Sequence, residues 1–216
     1  MTVPGAVNAK HSILARISNA KSRANLPELT EVPCMKEDRS DYEESELVKR
    51  FTEELNILGV ETFIEPHKEN VRTRLQSIIN GSTLLSWNAE CLPFDLGGLL
   101  DNEKVVYGNA EKELQAEAEI GLTGCDAAIA ETGSLVLLSG SGKPKTASLL
   151  PYSHVAVVEK SRILFSLGEY FARNSRAVRQ STHLNIITGP SRTADIELTL
   201  TLGVHGPGKM IVIIGP

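Results

Sequence analysis

Two runs in the last third of this chain are almost wholly aliphatic: Val155-Ala156-Val157-Val158 and Met210-Ile211-Val212-Ile213-Ile214. A strand that is apolar on both sides has to be covered on both faces, which is the habit of parallel sheets. Helical periodicity alternates with such runs. Leu47, Val48, Phe51, Leu55 and Leu58 recur at helical spacing before Gly59, and Val71, Leu75, Ile78 and Ile79 do so before Asn80-Gly81. The pattern predicts strands over 60–64, 83–87, 104–107, 155–158, 185–188 and 210–214. It predicts further helices over 9–24, 110–118 and 163–173. Ser40 to Glu43 offers a capping box for the helix that follows. The polar segment 26–39 reads as a loop.

Strands alternating with helices imply an α/β class with a Rossmann-like, mainly parallel sheet and helices on both faces. The apolar runs 126–130 and 135–139 are separated by too few residues for a helical crossover. They predict a hairpin, and hence a mixed sheet. The chain divides into a helix-and-loop extension, 1–42, and an α/β domain, 43–216. Aromatic residues make up only 5% of the 216 residues, so the core is aliphatic.

A net charge of −5 argues against a mainly electrostatic nucleic-acid binder. No apolar run approaches the ~20 residues that span a bilayer. The start, Met1-Thr2-Val3-Pro4-Gly5, lacks the pattern of a secretory signal, and the expected location is the cytoplasm. Cys34, Cys91 and Cys125 are far apart and form no C-x-x-C pair, which speaks against an iron–sulfur or structural zinc site within this chain. Cys125, between Gly124 and Asp126, is either a tuned thiol or a small buried residue.

Four polar segments interrupt the apolar pattern. Glu131-Thr132-Gly133-Ser134 sets a carboxylate and two hydroxyls around a turn glycine. Glu131 suits a base, nucleophile or ligand clamp, or the segment is simply a hydrogen-bonded polar turn. Gly140-Ser141-Gly142-Lys143-Pro144-Lys145-Thr146 suggests phosphate or carboxylate binding through backbone N–H groups and lysines, or a flexible loop. It is not a P-loop, since Pro144 follows Lys143. Ser191-Arg192-Thr193-Ala194-Asp195-Ile196-Glu197 follows Gly189-Pro190. Arg192 suits bidentate binding of an anion, with Asp195 orienting it, or the two form an internal ion pair. His205, in Gly203-Val204-His205-Gly206-Pro207, suits an acid, a base or an oxyanion donor, or it stabilises a turn. The expected site therefore has Glu131 and His205 as reacting groups. Thr132, Gly133, Ser134, Lys145, Ser191, Arg192, Thr193 and Asp195 would surround a small carboxylate. No H-E-x-x-H pattern points to a metal held by the chain.

These residues carry a resemblance. Asp126–Ser134, then Ser148-Leu149-Leu150-Pro151 with His154, then Gly189–Glu197, then Gly203–Pro207 occur in that order over about 90 residues. In this the chain is similar to the lactate-utilisation protein C family, the LutC/YkgG group of LUD-domain proteins. Where family members often carry an Arg shortly before the Ser-Leu-Leu-Pro run, Lys145 is the nearest basic residue here. The resemblance implies a fold like that of the sugar-phosphate isomerase and coenzyme A transferase group (NagB, RpiA). It also implies a part in oxidising L-lactate to pyruvate together with iron–sulfur partner proteins. No cofactor is expected in this chain, because Gly121-x-x-Gly124 and Gly140-x-Gly142 do not complete a dinucleotide fingerprint. The other classes the sequence leaves open are a stand-alone transferase or sugar-phosphate enzyme using Glu131, and a non-catalytic assembly module.

Overall fold

The second apolar periodicity of the chain becomes helix α2 (Glu44–Ile57), which buries Val48, Phe51 and Leu55. Its capping box forms at Glu43 and Glu46, where the Glu46 carboxylate accepts from the Glu43 N–H at 3.3 Å. Ser40, the predicted start of that box, lies outside the residues described. The computed structural model describes residues 5–23, 42–101, 103–174, 181–193 and 201–216. The chain divides into two compact units, Met1–Cys34 and Met35–Pro216. The first holds α1 (Gly5–Arg23), at the place the Ile13, Leu14 and Ile17 stripe predicts. The predicted loop over 26–39 is outside the described residues.

In the second unit, α2 stops at Gly59 and the chain enters β1 (Glu61–Ile64). Then come α3 (Lys68–Ile79), β2 (Leu84–Ser86), α4 (Gly97–Leu100), β3 (Val105–Tyr107), α5 (Lys112–Ala116) and β4 (Ile120–Thr123). They are followed by β5 (Ala127–Ile129), β6 (Ser134–Ser139), β7 (Ser153–Glu159), β8 (Ile163–Leu164), α6 (Leu167–Arg173) and β9 (His183–Ile187). Finally come β10 (Arg192–Thr193), β11 (Thr201–Leu202) and β12 (Lys209–Gly215).

Six strands make one sheet in the order β1-β12-β7-β4-β2-β3, and every pairing is parallel. The two aliphatic runs lie side by side at its centre, with Val155 opposite Ile211 and Val158 opposite Ile214. Val155, Val157, Val158, Val212, Ile213 and Ile214 are all 0% exposed. Each such side chain contributes about 1.5–3 kcal/mol by leaving water, so this strand pair dominates the core.

The antiparallel pairing predicted around Glu131 is present, but it belongs to a second sheet. Its order is β8-β5-β6-β9, with β5–β6 and β6–β9 antiparallel. This sheet has its own small apolar cluster of Ala127, Ile129, Val136, Leu164 and Tyr170. Two elements differ from expectation. The predicted helix over 163–173 is a strand, β8, followed by a shorter helix. Ser166 is the reason, because its hydroxyl caps α6 by accepting from the Glu169 N–H at 3.2 Å. The other is β4, whose Ile-Gly-Leu-Thr sequence has no aliphatic run and no strict alternation. No described helix is long and apolar enough to cross a membrane.

Gly121 of β4 is there for space. A Cβ at this position would lie 1.7 Å from the Ala147 carbonyl oxygen. Gly121→Ala is expected to destabilise the fold by about 3 kcal/mol, the overpacking range where backbone must move. Gly140→Ala, where an added Cβ meets nothing within 4 Å, is expected to stay within ~0.5 kcal/mol of the parent. Urea unfolding of both variants checks the pair.

Candidate functional site

Two of the polar segments meet at the end of α2. Gly133 and Gly189 both hold positive φ, +64° and +77°, and both press onto the helix. A Cβ on Gly133 would lie 3.1 Å from Glu54 and Leu58 atoms, and one on Gly189 would lie 3.1 Å from Leu58 Cβ. Only glycine satisfies both the dihedral and the contact. The hydroxyls tie the segments together: Thr132 to Ser134 at 2.7 Å, and Ser134 to Thr188 at 2.7 Å.

Arg192 reaches the same place. Its guanidinium donates to the Leu58 carbonyl oxygen, at the helix's C-terminal end. The last turn of α2 contains no basic residue of its own, so Arg192 supplies the cation that complements the unpaired carbonyls and the helix dipole. A guanidinium has five N–H donors, so the rest of Arg192, which is exposed, stays available to an anion.

The 203–207 segment joins through a short hairpin. β10 and β11 are antiparallel, with Arg192 opposite Leu202 and Thr193 opposite Thr201. Ser191 is the clasp. Its N–H donates to the Pro207 carbonyl at 2.8 Å, its carbonyl accepts from Gly203 at 3.1 Å, and its hydroxyl accepts from the His205 N–H at 3.4 Å. Arg192 and His205 thus sit on one clasped unit, and His205 is exposed. All of this lies at the amino edge of the parallel sheet. The 203–208 loop runs into the start of β12, and the end of α2 precedes the start of β1.

Glu131 faces elsewhere. It lines a cleft of about 550 Å³ with Lys49, Arg50 and Glu53 of α2, beside the stacked Tyr42 and Phe165 rings. Lys145 is exposed at the start of a short 3-10 turn over Ala147. Asp195 and Glu197 are outside the described residues. The expected site therefore separates into a clasp at the amino edge (Ser191, Arg192, Thr193, His205), a hydroxyl chain beside it (Thr132, Ser134), and Glu131 on a neighbouring cleft.

The glycine-rich loop closes on itself. Gly140 and Lys143 exchange backbone hydrogen bonds at 3.3 and 3.1 Å, so their N–H groups are used within the turn. The Lys143 ammonium donates to Asp126 Oδ1 at 2.6 Å and lies 4.7 Å from the Trp87 ring centre. The other Asp126 oxygen accepts from the Leu138 N–H at 2.7 Å. The turn is docked on the segment after β2, where the Asn88 N–H donates to the Gly142 carbonyl at 2.8 Å. Between them opens a crevice of about 700 Å³, lined by Asn88, Glu90, Tyr107, Asn109, Gly142 and Pro144 among others. It stands at the carboxyl ends of β2 and β3, opposite the clasp. Sequence reading missed it, because Asn88, Glu90 and Asn109 form no motif. The available signal was their position just after predicted strands.

Two titratable groups are buried, one just after β4 and one in β7. Cys125 donates its thiol hydrogen to the Ala127 carbonyl. Burial, reinforced by the Asp126 charge, pushes that thiol up to about 12, so it is no nucleophile near neutral pH. His154 is 1% exposed, and its Nε2 lies 2.9 Å from the Thr123 hydroxyl. Its Nδ1 has no partner among the described residues. Burial pushes the imidazole down to about 4. Among the described residues no group of three or more His, Cys, Asp or Glu side chains is placed to hold a metal ion.

The chain and its fold match known proteins. A family model described as LUD domain covers residues 48–214. The chain belongs to the LUD domain family. Lactate utilization protein C of Anoxybacillus flavithermus is 34% identical over 71% of this chain and 73% of its own length. Lactate utilization protein C of Macrococcus caseolyticus is 30% identical over 97% of both chains. The crystal structure of a DUF162 family protein from Deinococcus radiodurans superposes with a TM-score of 0.66 at 21% identity, covering 81% of this chain and 99% of that one. This last likeness concerns the fold. In this LUD domain the amino-edge clasp is built from the segments on which the sequence resemblance rests.

His154 gives this LUD domain a pH dependence. The imidazole titrates near ~6.5 in an unfolded chain and at about 4 in the folded one. Between those values the unfolded state binds more protons, so stability is full above the unfolded value and falls as the pH drops toward the folded one. The loss from this one group is about 3 kcal/mol by the bottom of the window. His154→Gln, which keeps a polar atom facing Thr123, is expected to flatten that part of the decline. Urea midpoints at about pH 7 and about pH 4.5 check it, and an identical decline in both proteins contradicts it.

Proposed function

We propose that this chain serves L-lactate utilisation as the component that handles the hydroxy acid. In this reading it holds no redox centre of its own and works with iron–sulfur partner proteins. The observation that carries the proposal is the match, over 97% of both chains, to a protein named lactate utilization protein C. The clasp is the chemistry that suits it. Arg192 presents the guanidinium edge that Leu58 leaves unused to a carboxylate, and His205 on the same unit accepts the proton of the neighbouring hydroxyl. Conversion of L-lactate to pyruvate removes two electrons and two protons from the substrate. His205 would take the hydroxyl proton, and the iron–sulfur partner proteins would supply the acceptor for the two electrons, with the second proton, from the carbon that bears the hydroxyl, leaving to solvent.

Calorimetric titration of the full chain with L-lactate, pyruvate and coenzyme A tests this. One of the two acids is expected to saturate. Arg192→Ala and His205→Ala are each expected to weaken it at least tenfold, about 1.4 kcal/mol. Arg192→Ala is also expected to lower stability by about 1 kcal/mol, because α2 loses the cation at its end. Binding that survives both substitutions overturns the assignment of the clasp. Coenzyme A binding with a covalent adduct that Glu131→Gln abolishes overturns the lactate reading in favour of acyl transfer.

A further inference from the structure

The carboxyl-edge crevice is unaccounted for by the proposed handling of lactate, and its placement and lining point to a ligand of a different class. From β2 the chain runs out to β3 at the edge and then returns across β2 to β4. The connections thus reverse direction at β3, so those leaving β2 and β3 run opposite ways. In open parallel sheets, ligands collect outside the carboxyl ends of strands at such a reversal. Asn88 comes two residues after β2, and Tyr107 is the last residue of β3. At about 700 Å³ the crevice is far larger than a three-carbon acid needs. It falls in the ~300–1,000 Å³ range of sites for mid-sized organic ligands.

The lining defines the chemistry. Among the described residues it contains no cation, and the ammonium of the nearby Lys143 is held by Asp126 and the Trp87 ring. The polar side is made of acceptors and amides. Beside its own backbone N–H, the Glu90 carboxylate accepts from the Asn88 side-chain amide, at 3.0 Å on Oε1, and lone pairs remain on the carboxylate and on Asn88 Oδ1 to accept. That hydrogen bond also holds the Glu90 carboxyl below the usual range, so it stays an acceptor. Acceptors of this kind call for hydroxyl donors on the ligand. The remaining wall offers the Tyr107 ring and Pro144 to a flat apolar group, with the Asn109 amide beside them.

We propose that this crevice binds the ribonucleoside part of a ligand, with Glu90 and Asn88 taking the vicinal 2′- and 3′-hydroxyls and the base lying against Tyr107. A carboxylate at the carboxyl end of a parallel strand, reading ribose hydroxyls, is the arrangement parallel α/β sheets use for dinucleotides. Here it occurs without a glycine-rich phosphate turn. The site is independent of the Arg192–His205 clasp, which lies at the opposite edge of the sheet.

The test uses the full chain and the fluorescence of its single tryptophan, Trp87, which directly precedes Asn88. Adenosine, guanosine, cytidine and uridine are titrated beside their 2′-deoxy counterparts, with inorganic phosphate and L-lactate as controls. At least one ribonucleoside is expected to shift Trp87 emission saturably. Its 2′-deoxy form is expected to bind about tenfold or more weakly, as loss of a hydrogen bond to a charged group implies. Glu90→Gln, at an exposed position, is expected to weaken the ribonucleoside by a similar factor while the unfolding midpoint stays unchanged. The Arg192→Ala variant is expected to bind it normally. Equal binding of ribo and deoxy forms overturns the proposal. So does silence toward all four ribonucleosides, or a saturable response to phosphate that Glu90→Gln removes. The ribo-versus-deoxy comparison needs no variant, so a Glu90→Gln protein that fails to fold does not protect the idea.

Discussion

The end of α2 governs how the rest of this structure is assembled. A helix ending at a sheet edge exposes carbonyl oxygens that its own turns do not satisfy. Here Leu58 occupies that end, and three separate stretches of chain meet it: the Gly133 turn, Gly189, and the Arg192 guanidinium. Two contacts require the absence of a side chain and one requires a cation. Together they dock the second sheet and the β10–β11 hairpin onto the start of β1. The Ser134–Thr188 hydroxyl contact then joins the two docked segments to each other. The residues that give the chain its family resemblance are therefore, in large part, the residues that dock on this helix end. Their functional and structural roles overlap at Arg192, whose single side chain serves the helix and still presents an open edge.

The parallel sheet sorts the remaining chemistry by edge. The middle of its central strands β7 and β12 is apolar, and His154, near the amino end of β7, is buried and neutral at pH 7. Polar side chains collect where strands begin and end. The amino edge has the Arg192 cation and an exposed imidazole. The carboxyl edge has amides, a carboxylate and a tyrosine. This difference in charge separates ligands: an anionic acid suits one edge and a neutral hydroxylated group suits the other. Lys143 helps to keep the edges distinct. Its ion pair with Asp126 removes a positive charge from the crevice and pins the glycine turn against β6.

Much of this was legible in particular residues. The spacing of Leu47 to Leu58 and of Val71 to Ile79 located α2 and α3, because helical burial repeats every three to four residues. The runs at 155–158 and 210–214 located the core strands. β4 was not legible, because Gly121 and Thr123 look like turn residues until Ala147 is seen pressing on one and His154 on the other. The helix over 163–173 was placed too early, since Ile163 and Leu164 fit a helical face as well as a strand. Of the functional residues, Ser191, Arg192, Thr193 and His205 stood out through their motif, and they share one clasped unit. Glu131 stood out equally, yet it opens on another cleft. Asn88, Glu90 and Asn109 gave no signal, since a crevice between two strand ends has no sequence period.

The sequence by itself determined the α/β class, the aliphatic core, the hairpin at Glu131 and the family, because these follow from local periodicity and from motifs contiguous along the chain. Only the tertiary structure decided which polar residues share a surface. It placed Arg192 on a helix that ended more than a hundred residues earlier. It placed the glycine-rich turn against the segment after β2, and Tyr107 beside Asn88. Those meetings depend on strand order, and strand order is set by how the aliphatic strands pack together, a property of the whole core that no short stretch of sequence expresses.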